Sequence, residues 1–147
     1  MKRVTIAWIS AVLCAYGLAA VTATQSVLAR LEGMGVHVAR SERIRATLAD
    51  LAGLAPTLLP LVAGGFLVAM IVAALLARRL PRLRTALCAL AGGVALVVIH
   101  LALKATLGIT PVPIARTVTG LLVQGLAGAI GGAVFAVLTR RRRAAGR

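Results

Sequence analysis

Acidic residues are scarce in this chain: three Asp and Glu against 17 Lys and Arg, in 147 residues. Glu32, Glu42 and Asp50 lie between the first two long apolar runs, and none lies inside a run. That removes the intramembrane carboxylate on which proton- and cation-coupled transporters commonly rely. Aromatics make up only 3% of residues, so the net charge of +14 comes without the stacking platforms or groove-reading module of a nucleic-acid binder. Cysteine is limited to Cys14 and Cys88, in different runs and without C-x-x-C spacing, which leaves no metal or dithiol reading. Each reads as a small hydrophobe, and Leu13 stands where a lipidation signal before Cys14 would need a small residue. Ser10 and Ser26 have no histidine within ten residues, and Ser41, four after His37, stands in no catalytic motif. There is no H-E-x-x-H, no G-x-S-x-G and no phosphate-binding glycine loop. The expectation is a non-enzyme without cofactor or metal.

Long apolar runs are what the chain has in quantity. Four occupy about residues 4–24, 54–77, 85–107 and 117–138, each near the roughly 20 residues a helix needs to cross a hydrocarbon core of about 30 Å. They leave no room for a separate soluble domain. The start, Met1-Lys2-Arg3, an apolar run and Val21-Thr22-Ala23, resembles a signal peptide, but the run exceeds a usual signal core and reads as a retained first span. The expected fold is therefore all-α: a single polytopic membrane domain of four transmembrane helices. An external loop, 25–53, carries a short amphipathic helix, and a basic tail covers 139–147.

Charge orients the bundle. Lys2, Arg3, Arg78, Arg79, Arg82, Arg84, Arg140, Arg141, Arg142, Arg143 and Arg147 fall at the two termini and the middle turn, which four spans place on one side. The other side holds Arg30, Arg40, Arg43, Arg45 and Arg116 with all three acids. Cytoplasmic loops carry the Lys/Arg excess, so both termini are expected in the cytoplasm and the protein in the inner (plasma) membrane. The basic residues would meet anionic lipid headgroups.

Along the chain, the first helix is expected to run past Gln25 toward Leu31 and to break at Gly33 and Gly35. Ser41 reads as an N-cap, with Glu42 near the positive end of the helix dipole. Ile44, Leu48 and Leu51 form an apolar stripe at helical spacing, suiting a helix on the membrane surface or capping the bundle. Pro56 falls in the first turn of the second span, where its missing N–H costs nothing; Pro60 should kink it and free a carbonyl. Arg78 to Arg84, with Pro81 in the middle, forms a tight turn. In the fourth span Gly120, Gln124, Gly128, Gly132 and Ala136 recur every four residues. Such small residues permit close helix contact in lipid, within the chain or in a homo-oligomer or larger membrane complex.

Polar residues at membrane depth are the candidate site. At 1.5 Å per residue, His100 and Gln124 lie about 10 Å below the outer ends of their spans, Pro60 about 9 Å and Tyr16 about 12 Å. Thr22, Gln25, Thr57 and Lys104 lie above this layer. One reading is a cavity open to the outer face, in which Lys104 and His100 attract an anionic group, with Gln124, Tyr16 and Thr57 lining it. The other is a structural clamp: His100 bonded to Gln124 or Tyr16, and Lys104 snorkelling to phosphate or pairing with Asp50. The function expected from the whole is an accessory or scaffold subunit; the alternative is an oligomeric small transporter or lipid-handling protein.

Overall fold

The computed structural model describes residues 2–107 and 112–140. Helix α1 is Lys2–Gly33, α2 Arg40–Arg79, α3 Arg84–Leu107 and α4 Val118–Leu138, with 3-10 turns at Pro81–Leu83 and Pro113–Arg116. No strand occurs among the described residues. Each helix packs on its neighbours in sequence, and α4 closes the ring against α1. All four are long and apolar enough to cross a membrane. The tail beyond Arg140 and loop residues 108–111 lie outside the described residues.

The bundle reverses the size rule of a soluble core. Its interior is lined by small residues: Ala7, Ala11, Ala15, Ala19 and Ala23 recur every four residues along α1, each at most 5% exposed. The large side chains, among them Leu67, Ile71, Leu90, Val98, Leu122 and Leu126, point outward. Small interfacial residues let helix backbones approach where lipid supplies no hydrophobic drive for association, and large apolar side chains are at home against hydrocarbon. The glycine face of α4 is spent within the chain: Gly128 lies against Gly92 of α3, Gly132 against the Cys88 carbonyl, and Gly131 against Ala11 and Ala15 of α1. From α2, Phe66 fills the centre and is fully buried.

Two helices are much longer than a bilayer requires. With 32 residues in α1 and 40 in α2, they measure about 48 and 60 Å at 1.5 Å per residue. The short surface helix expected from Ser41 is instead the first third of α2, continuous with the second span. Ser41 is not its cap: Ala39 is, and the Glu42 carboxylate accepts from the Ala39 N–H at 3.2 Å. Pro56 is correspondingly internal, as is Pro60. A helix interrupted by proline persists in a bundle when neighbouring groups satisfy its backbone. Here the Tyr16 hydroxyl donates to the Leu51 carbonyl, next to the Ala52 carbonyl that Pro56 leaves without its helical donor.

The excess lengths of α1 and α2 pair as an antiparallel hairpin, closed by the left-handed Gly35 at φ +85°. Arg43 donates to Gln25 at 2.7 Å and forms an ion pair with Glu32. Gln25 donates to Thr47 at 3.1 Å, and Thr24 to Asp50 at 2.7 Å. At the opposite end two arginines cap α4. Arg3 donates to the Leu138 and Arg140 carbonyls at 3.0 and 2.7 Å, and Arg84 to the Ala136 carbonyl at 3.0 Å and to Thr139. The last carbonyls of a helix lack backbone donors, so Arg3 and Arg84 act here as capping groups.

Candidate functional site: the polar layer

Gln124 is fully buried on α4. Its amide nitrogen donates to the Ala19 carbonyl at 3.1 Å and lies 3.3 Å from the Thr22 hydroxyl, both on α1. A carbonyl can only accept, so the bond to Ala19 fixes the amide orientation and turns Oε1 away from α1. His100 on α3 is 2% exposed, and its Nδ1 lies 2.8 Å from the Leu96 carbonyl one turn back. Nδ1 must therefore carry a proton, which leaves Nε2 of the neutral ring as an acceptor. Neither His100 Nε2 nor Gln124 Oε1 has a protein partner among the described residues. Two buried acceptors thus stand without a donor, at roughly 1–3 kcal/mol each.

The expected bond between these residues is absent, and helix register gives the reason. Gly92 faces Gly128 and Cys88 faces Gly132, so the antiparallel pairing sets Leu96 level with Gln124 and His100 level with Gly120. The two polar side chains are offset by one turn, about 5.4 Å. Each also has a bond elsewhere, His100 to its own helix and Gln124 to α1.

Among the described residues, the other candidates do not gather around them. Tyr16 is buried and donates to the Leu51 carbonyl, not to the Pro56 carbonyl that Pro60 releases. Thr57 is exposed on α2. Lys104 is exposed near the end of α3, and Asp50 accepts from Thr24, so the pairing of Lys104 with Asp50 does not occur. Over the α1–α4 side, Val112 and Ile114 pack on Ala23 and Val123. Gly120 serves this packing: a Cβ there would lie 1.8 Å from the Ile114 carbonyl oxygen. It therefore accommodates the 3-10 turn, whereas Gly128 and Gly132 accommodate α3. Among the described residues the polar groups act as separate clasps between helices, with His100 and Gln124 buried.

Three features escaped the sequence reading. The alanine ladder of α1 and the Gly92-Gly93 pair of α3 repeat the small-residue signal read in α4 and were open to the same test. The Arg43 clasp had a weaker signal, charges of both signs in the loop. The capping by Arg3 and Arg84 had none, since both sit in clusters that topology already explains. Two apolar grooves flank α2, one of about 510 Å³ against α1 and Phe135 and one of about 410 Å³ against α3. No group of three His, Cys, Asp or Glu among the described residues is placed to hold a metal. No protein-family model matches the chain, and neither the curated proteins nor the solved structures contain a significant match.

Proposed function

We propose that this chain is a non-enzymatic integral subunit of the inner (plasma) membrane, with cytoplasmic termini, that presents its α1–α2 hairpin to a partner protein outside the bilayer. The hairpin carries this reading. Ile44 and Leu48 lie on its outer side, each 61% exposed. Counting from Leu54, Ile44 stands about 15 Å beyond the apolar run. The headgroup region adds only about 5–8 Å on each side of the hydrocarbon, so Ile44 projects past it. The glycine face, already occupied by α3, lends the reading nothing. The arginine-rich end supports the orientation through the positive-inside rule.

A transporter reading draws support from one observation, the two unpartnered acceptors His100 Nε2 and Gln124 Oε1. Burial of both side chains weighs against it. The readings separate by photo-crosslinking in native membranes, with a benzophenone amino acid at Ile44, at Leu48 and, as a lipid-facing control, at Leu126. The subunit reading expects a discrete protein adduct from the hairpin positions and none from Leu126. An adduct to a second copy would make the partner this chain itself. Absence of adducts at both hairpin positions, with a monomer by native mass spectrometry, overturns the reading.

A further inference from the structure

The larger groove, about 510 Å³, opens between α1 and α2 and is lined by Thr5, Trp8, Leu67, Ile71, Ala74 and Phe135, among others. Its volume falls within the roughly 300–1,000 Å³ of sites that hold small molecules. The lining stripe on each helix ends in a cation at the arginine-rich end of the bundle. On α2, Leu67, Ile71 and Ala74 continue at the same helical spacing to Arg78; on α1, Trp8 and Thr5 continue to Lys2. Lys2 and Arg78 are both exposed and make no ion pair or hydrogen bond among the described residues, unlike Arg3 and Arg84. From Ala74 to Leu67 the groove descends about 10 Å along α2, the upper part of one membrane leaflet.

We infer that this groove binds one anionic phospholipid, with an acyl chain along Trp8, Leu67 and Ile71 and its phosphate between Lys2 and Arg78. The charge pattern selects this occupant. A partner helix would fill the apolar part and leave both cations unmatched, and a neutral lipid would gain nothing from them. The second groove lacks the arrangement, because the α3 position that continues its stripe from Leu87 is Arg84, which is held by α4.

Trp8 is the single tryptophan of the chain and lines the groove, so it reports occupancy directly. The protein is reconstituted in zwitterionic phosphatidylcholine and titrated with phosphatidylglycerol carrying brominated acyl chains, which quench indole fluorescence on contact. Brominated phosphatidylcholine serves as the comparison. With about 1 kcal/mol for each basic residue near an anionic surface, the two cations should favour the anionic lipid about 30-fold. Lys2→Gln with Arg78→Gln should abolish the preference, and Ala74→Phe should reduce quenching by either lipid. Arg82→Gln, at the same end but off the stripe, should leave the preference intact. Equal quenching by the two lipids in the parent protein overturns the inference. So does an equal loss in the Arg82 variant, which would mark a diffuse surface attraction.

Discussion

Replacing Gly132 with alanine places a methyl group where the backbone of α3 already stands. Its Cβ would lie 2.0 Å from the Cys88 carbonyl oxygen and 2.8 Å from the carbonyl carbon. Gly128 repeats the situation, with a Cβ 2.3 Å from the Gly92 oxygen. Carbon atoms pack at about 3.5–4.0 Å, so α3 and α4 would have to part by on the order of 1 Å. The obstacle is helix backbone, which cannot swing aside as a side-chain tip can. Overpacking costs about 1–3 kcal/mol, and the upper half of that range applies where close backbone approach is the chief source of association. Gly17 and Gly64 supply the controls, because a Cβ at either meets nothing within 4 Å. There alanine should be neutral or stabilise by up to about 1 kcal/mol through helix propensity. Unfolding by sodium dodecyl sulfate in mixed micelles, followed through Trp8, should separate Gly132→Ala from Gly64→Ala by about 2–4 kcal/mol. If both unfold at the same detergent fraction, the small-residue contact is not what holds α3 to α4.

Gln124→Leu removes the bond to Ala19 together with an unpaired acceptor, so it should stay within about 1 kcal/mol of the parent. Gln124→Glu buries a charge with no partner and should cost several kcal/mol in the same assay; equal effects would mean that the position is wetter than its burial indicates. The double replacement His100→Leu with Gln124→Leu should be additive within about 0.3–0.5 kcal/mol, since no bond joins them, and a larger coupling would contradict the register. Arg43→Ala should lower global stability by no more than about 1 kcal/mol but speed amide exchange across 25–33 and 40–50; unchanged exchange would show that the clasp holds nothing. A cysteine at Ala39 should react with an impermeant thiol reagent in intact cells while one at Thr139 stays protected, and the reverse pattern would invert the orientation.

Helix number and the arginine turn were legible because apolar length and charge placement are one-dimensional properties. The joining of the external helix to the second span was not. Pro56 reads as a helix start by local preference, since its absent N–H is harmless in a first turn. It reads as an interior residue only once Arg43, Thr47 and Asp50 are known to bond Gln25 and Thr24 of α1, which holds the helix together on the far side of the proline. A tertiary contact thus reverses the local reading. Ser41 fails as a cap for a related reason: Gly35 turns the chain early enough for the helix to start at Arg40.

The polar layer shows where counting along a helix stops being informative. Depth from an assumed helix end set His100 beside Gln124, yet contact also needs a rotation about each axis and a register between the two. That register was partly open to inspection. Gly92 in the third span and the Gly128–Gly132 pair in the fourth are small-residue marks that antiparallel helices tend to bring together. Matching Gly92 to Gly128 puts Leu96, not His100, against Gln124. The helix ends lie within one residue of their expected places, but this pairing sets Thr117 level with Leu103, and that offset of about one turn is the difference between a hydrogen bond and two acceptors left unpaired.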